Sequence, residues 1–288
     1  MKQDHPFNHL RSRSLLVWLV VSLVFVTPLF LLTTLIPDPL FELIIGQVWF
    51  CGLILVWFFH QVKKHKLKPQ QIIGKLPPKW ESLRLIVMVV PALMFSIGTT
   101  QLVYLLVSFL APEFLEELLE EDLFLTAAET SFPFLYNLLL SISLVILAPV
   151  LEELLFRGIL LQRWRVKWGV TPALIISALI FGILHFNVIA LFNVGLLMAV
   201  LYWRSNCLLI PIICHGINNG LVVAVTLSVM FFGETQPYTI EQIRSDWKVG
   251  IIWIVLSLPW LIYFFVKNWP PQETLLPYVA NGLKEKKL

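Results

Sequence analysis

From Leu15 to Ile36 the chain runs 22 residues without one charged side chain, and this run constrains the fold more than any other feature. Crossing the hydrocarbon core of a bilayer takes about 20 mostly apolar residues. Seven further segments qualify or nearly qualify: Leu40–Phe59, Leu85–Leu110, Pro133–Leu161, Pro172–Phe186, Val188–Trp203, Leu208–Phe232 and Val249–Val266. Lipid offers backbone N–H and C=O groups no partners, so open sheet edges cannot be satisfied there. Helices satisfy themselves. The fold class that follows is all-α, a polytopic membrane protein with about eight transmembrane helices. The fifth and sixth segments are short and joined by almost nothing, so their boundary is the least defined.

Composition excludes a soluble protein. Hydrophobic residues make up 58%, charged residues 14%, and the mean hydropathy is +0.82, whereas a soluble domain carries roughly 25% charge. The basic residues Arg11 and Arg13 before the first run suggest a signal peptide. The run exceeds the usual signal core of about 7–15 residues, however, and no small-residue cleavage site follows. It reads as a retained first span.

Charge asymmetry orients the spans. With the N-terminus in the cytoplasm, eight crossings return the C-terminus there, and 18 of the 21 Lys and Arg residues fall inside. Only Arg244 and Lys248 fall outside, and Arg157 lies within a span. The expected location is an integral multi-pass protein of the plasma membrane with both termini cytoplasmic. Glu113, Glu116, Glu117, Glu120, Glu121, Asp122 and Glu129 crowd the loop between spans three and four, interleaved with Phe114, Leu115, Leu118, Leu119 and Leu123 at helical spacing. That pattern predicts an acidic amphipathic helix on the external interface, either a solvated connector or a lid. The basic linker from Gln61 to Arg84 is expected to lie against anionic headgroups. Positive-inside topology already accounts for its lysines, so nucleic acid is not an expected partner; membrane lipid and a membrane-associated peptide or protein are. Cys51, Cys207 and Cys214 are odd in number, lie in or beside apolar runs and indicate neither disulfides nor a metal site. Three regions are expected: residues 1–131 with the first spans, the basic linker and the acidic helix; 132–232 with the chemistry; and 233–288 with an external loop, the last span and a tail.

A charge at a helix centre costs roughly 2.5–3.5 kcal/mol on insertion scales, so the polar residues inside the spans are informative. They fall in three clusters. In the fourth span, Glu152, Glu153 and Arg157 follow Pro149. Glu153 and Arg157 are four apart and can pair; Glu152 lies about 100° further round the helix and points elsewhere. Pro149 removes a backbone hydrogen bond, which predicts a bend and local space. In the fifth span stand Phe181, His185 and Phe186. In the seventh, His215 and Asn219 share a face, two donors suited to one oxygen atom, with Pro211 one turn before them. At about 1.5 Å per residue, Glu152 and His215 each lie about 16 Å from the cytoplasmic rim and His185 about 20 Å, which places all three near one level.

These residues carry a resemblance. The chain resembles the CAAX-protease and bacteriocin-processing (CPBP, or ABI) membrane proteins, which include the type II CAAX prenyl endopeptidases. EExxxR matches Glu152, Glu153 and Arg157; FxxxH matches Phe181 and His185; HxxxN matches His215 and Asn219. The likeness covers roughly Leu135–Val225. It implies an eight-helix membrane fold and an intramembrane endopeptidase. In that role Glu152 and His185 activate a water, His215 and Asn219 receive the developing oxyanion, and Glu153, Arg157 and Phe181 support them. No cofactor is implied by this mechanism. The competing chemistry is zinc held by Glu152, His185 and His215. Two other functions share the same features. One is a proton-coupled transporter, since intramembrane Glu and His residues mark such paths. The other is a non-catalytic immunity or scaffold protein that keeps the fold.

Overall fold

The computed structural model describes residues 5–36, 38–120, 123–185, 187–232 and 239–285. Glu121, Asp122, Phe186, Lys286 and Lys287, which the sequence reading used, lie outside these residues, as does the side chain of Glu120. Among the described residues the regular elements are all helical.

Among these residues eleven helices follow a short turn at Pro6–Asn8. They are α1 Ser14–Thr33, α2 Pro39–Lys64, α3 Pro69–Ile73, α4 Lys79–Leu110 with a turn at Val87–Met88, α5 Pro112–Glu120, α6 Pro133–Trp168, α7 Val170–Leu184, α8 Val188–Ser205, α9 Leu209–Phe232, α10 Ile240–Asn268 and α11 Pro277–Glu285. Seven of these (α1, α2, α4, α6, α8, α9 and α10) are long and apolar enough to cross a membrane, and α7 is a shorter apolar helix of 15 residues. The eight apolar segments of the sequence are thus all helices. Several run past their apolar cores: α6 continues seven residues beyond Leu161, and α10 begins at Ile240 rather than Val249. Chain ends of spans stay helical in water or headgroups, because the hydrogen-bond ladder, once nucleated, propagates cheaply.

α8 is the central element. Side chains from Asn193 to Trp203 are all buried. It packs antiparallel on α7 at close range. A Cβ on Gly182 would stand 2.8 Å from the Val188 carbonyl oxygen, and one on Gly195 would stand 3.1 Å from the Ala178 Cα. Only glycine allows backbones this near. α4 and α10 cross in the same way at Gly98 and Gly250, where Gln101 also donates to the Asp246 carbonyl at 2.8 Å. By contrast, α1 presents Leu16, Val17, Val20 and Val24 outward, as a helix facing lipid does.

The basic linker departs from expectation. Lys63, Lys64, Lys66 and Lys68 point outward, but α3 turns inward and Ile72 is fully buried. The Tyr202 hydroxyl donates to the Ile72 carbonyl at 2.7 Å, the Leu208 N–H donates to the Ile73 carbonyl at 2.7 Å, and Asn281 of α11 donates to the Gln71 carbonyl at 2.9 Å. The segment is tied into the core through α3 while its lysines stay exposed, because its backbone groups find partners on α8 and α11. The acidic helix forms as α5. Its Leu115 is buried with Ile240 and Ile243 at the start of α10. This makes it a connector packed on α4 and α10 and not a lid over the polar clusters.

Candidate active site

α6 is distorted on both sides of Glu152 and Glu153. Residues 143–147 and 154–161 wind as π-helix, with a regular stretch, Ala148–Glu153, between them. Such stretches are rare and collect at functional sites. Pro149 supplies the local cause. The Ala148 N–H donates to the Ser143 carbonyl, five residues back. In that register the Leu144 carbonyl faces position 149, where proline has no N–H. The Asn219 amide fills the gap, donating to the Leu144 oxygen at 2.9 Å. α9 can come this close because residue 216 is glycine; a Cβ there would meet the Val145 carbonyl oxygen at 2.8 Å. The bend expected at Pro149 is therefore a change of helical register, stitched to α9 by Asn219. Pro211 makes no bend, since it lies in the first turn of α9 where a missing N–H costs nothing.

The two adjacent carboxylates diverge as their spacing predicts. Glu153 is fully buried and Arg157 reaches it at 2.9 Å. Arg157 also donates to the Gly195 carbonyl of α8 at 2.7 Å, and its guanidinium lies 5.0 Å over the Phe181 ring. The same Glu153 oxygen is 3.1 Å from Nδ1 of His215. A carboxylate only accepts, so Nδ1 of His215 carries the proton. α6, α7, α8 and α9 are thereby joined through one acidic side chain.

Glu152 turns to the other side and faces His185. Oε2 of Glu152 stands 3.6 Å from Nε2 of His185, too far for a direct hydrogen bond. Nδ1 of His185 lies 2.7 Å from the Phe181 carbonyl, which can only accept, so this nitrogen is the protonated one. With that single ring proton on Nδ1, Nε2 of the imidazole is an acceptor facing the Glu152 carboxylate. Oε2 of Glu152 is buried and finds no hydrogen-bonding partner among the described protein atoms. His185 sits just past the last residue of α7, a third exposed, rather than within a continuous fifth span. Phe181 holds the two imidazoles together, with ring centroids 4.5 Å from His185 and 5.6 Å from His215.

Asn219 and His215 share a face of α9, yet each has a partner the spacing did not indicate, Leu144 and Glu153. Residues with no signal in the motifs also enter. Gly195 supplies a carbonyl to Arg157, and Asn218 donates to the Asn219 side-chain oxygen at 3.3 Å. A glycine in mid-helix was the only available hint for the first. A catalytic zinc takes three protein ligands. Among the described residues no group of three His, Cys, Asp or Glu side chains is placed to hold a metal.

This geometry lies within a region that matches a family. Residues 133–221 match the family described as Type II CAAX prenyl endopeptidase Rce1-like. This segment is similar to that family. Its bounds enclose Glu152, Glu153, Arg157, Phe181, His185, His215 and Asn219. Two curated relatives match as well. The "Uncharacterized 24.3 kDa protein" of Escherichia coli is 36% identical over 112 residues, 36% of this chain and 48% of that protein. The "Putative membrane peptidase YdiL" of Bacillus subtilis (strain 168) is 35% identical over 85 residues, 28% of this chain and 35% of that protein. The matches thus span less than half the length of either relative. No solved structure matches the chain.

Proposed function

We propose that the chain is an intramembrane endopeptidase that hydrolyses a peptide bond with a water activated by Glu152 and His185. The observation that carries this reading is the pair of acceptors, Oε2 of Glu152 and Nε2 of His185, set 3.6 Å apart. Two acceptors that close repel unless a donor satisfies both, and a water has two hydrogens to give. Glu152 takes a proton from that water as its oxygen attacks the scissile carbonyl carbon, and His185 orients it. The tetrahedral oxyanion receives the Nε2–H of His215 in its doubly protonated form and the Asn219 N–H not used by Leu144. Donors fixed in a dry site count for more than in water. The proton on Glu152 passes to the departing amine as the C–N bond breaks.

Access is provided by the shortness of α7. Fifteen residues make a helix about 22 Å long, short of the roughly 30 Å hydrocarbon core. Backbone outside a helix at that depth is stable only against protein or a water-filled cavity, which suits a hydrolase. The basic residues Arg11, Lys64 and Arg163 gather around one cavity, while α5 carries Glu113, Glu116 and Glu117. Positive-inside orientation accordingly puts both termini in the cytoplasm. The substrate is a membrane-associated peptide or protein; the family's printed name makes a prenylated CAAX peptide the first probe.

The test is cleavage of a quenched fluorescent prenylated CAAX peptide by the purified chain in liposomes, together with a survey of new protein N-termini in cells carrying wild type or Glu152→Gln. Cleavage lost in Glu152→Gln and in His185→Ala, with both variants folded, is the expected result. Unchanged cleavage or an unchanged set of N-termini in Glu152→Gln would falsify the mechanism. Substrate uptake by a variant that cleaves nothing would point to the transporter.

A further inference from the structure

At the end of the bundle away from α5, the start of α1, the end of α2 and the last turns of α6 enclose a cavity of about 700 Å³. His9, Arg11, Lys64, His65 and Arg163 line it with the buried Gln61, and no carboxylate lines it among the described residues. Arg11 and Arg163 extend the basic lining into an adjoining cavity of about 280 Å³ with Arg13 and Lys167. Arg163 is fixed in place, for its Nη1 donates to the carbonyls of Phe7 and Asn8, both at 3.0 Å. Those bonds hold the guanidinium without neutralising it. His65 senses the result: burial first, then the charges of Lys64, His9, His60 and Arg163, hold its imidazole below the usual histidine range. A concave cluster of cations raises the local concentration of anions.

The surroundings of the cavity say which anion. The buried indoles of Trp57 and Trp164 hold Ser14 and Ser12 in the lining of the two cavities, at 3.2 and 3.4 Å. Directly above, α1 turns Leu16, Val17 and Val20 outward, an apolar wall running from the cavity along the bilayer. A free phosphate has no use for such a wall, whereas acyl chains do. We propose that this cavity binds the phosphate of an anionic phospholipid, with the headgroup between Arg11, Lys64 and Arg163 and the acyl chains along α1. The lipid fastens the α1–α2 hairpin to α6. This site is separate from the polar cluster of Glu152 and His185, and it stands or falls independently of the protease reading.

The experiment uses the full chain in detergent. Native mass spectrometry counts bound phosphatidylglycerol and phosphatidylcholine on wild type, on the double variant Arg11→Gln/Lys64→Gln, and on a charge-matched control, Lys267→Gln/Lys284→Gln. Arg11 and Lys64 are exposed, so the double variant is expected to fold, and circular dichroism verifies it. Wild type and control retain phosphatidylglycerol, phosphatidylcholine binds at least about tenfold more weakly, and the double variant loses about tenfold in phosphatidylglycerol affinity. Inorganic phosphate supplies the second arm. Displacement of phosphatidylglycerol by phosphate, from wild type only, supports the same headgroup site. Phosphate binding with no preference between the two lipids overturns the lipid assignment. Equal phosphatidylglycerol binding by wild type and the double variant overturns the site itself.

Discussion

Glu152 and Glu153 are neighbours in sequence and opposites in structure. Glu153 is sealed among Arg157, His215 and the helices they belong to, fully buried and held by 2.9 and 3.1 Å contacts. Glu152 faces a part-exposed histidine across 3.6 Å and keeps an oxygen without a protein partner. One half of the polar site is closed, with Glu153 balanced by a guanidinium although its Oε2, like that of Glu152, lacks a hydrogen-bond partner among the described residues; the other half faces a part-exposed imidazole. The difference teaches how a membrane protein can afford ionisable groups at depth: a sealed acid is balanced by charge and ties the helices together, and that rigid part presents the acid beside it to a more open group.

Substitution separates the two halves, and the closed half is expected to give the largest effect. Arg157→Leu leaves Glu153 buried beside His215 without its cation, and breaking a buried pair this way costs about 3–5 kcal/mol. The measurement is unfolding in detergent or recovery of folded protein; a variant as stable as wild type would show that the closed half is not structural. Next, Glu152→Gln is expected to leave the melting temperature near that of wild type while lowering peptide cleavage at least about a hundredfold. A large loss of stability in this variant would erase the contrast. Asn219→Ala is intermediate in kind, because it exposes the orphaned Leu144 carbonyl and removes one oxyanion donor. It is expected to cost about 1–3 kcal/mol of stability as well as activity, with Asn219→Asp unable to restore either, since a carboxylate cannot donate.

The smallest effect lies outside the membrane and serves as the control. Asp38 caps α2 and accepts from the N–H groups of Leu40 and Ser131 and the hydroxyl of Thr130. Those bonds, the Leu40 and Ser131 backbone ones foremost, hold its carboxyl below the usual aspartate range. A group whose pKa is lower when folded lends stability above its unfolded value, and that stability is lost as pH falls through the folded one. Stability at this corner should therefore be constant at neutral pH and fall only below about pH 4. Asp38→Asn is expected to remove that acid-limb dependence in a pH series of melts, leaving the Glu152–Glu153 contrast untouched.

Much of this was legible beforehand because the relevant rules are local. Helical spacing alone pairs Glu153 with Arg157 and turns Glu152 away, since the angle between neighbours on a helix is fixed. Runs of apolar residues located eight helical segments. Other features were not legible. Ile72 and Gln71 sit in a basic, proline-containing stretch that reads as peripheral, yet their carbonyls are claimed by Tyr202 and Asn281, residues about 130 and 210 positions away. His215 and Asn219 looked like a matched pair, and their actual partners lie on α6. The hint for Asn219 was Pro149, whose missing N–H strands a carbonyl, but only the approach of α9 shows what fills it.

Hydropathy and charge spacing, read along one chain, decided that this protein is a bundle of membrane helices with ionisable groups buried at depth. They could do so because the solvent a segment tolerates depends on its own side chains. Which helix stands at the centre did not follow: α1 is the most apolar of the spanning helices and 6% of its apolar 18-residue stretch is buried, while α8 is less apolar and 72% buried. In lipid the hydrophobic effect does not choose between neighbours and surroundings. Close glycine contacts, shared hydrogen bonds and buried ion pairs choose instead, and these exist only once the helices have met.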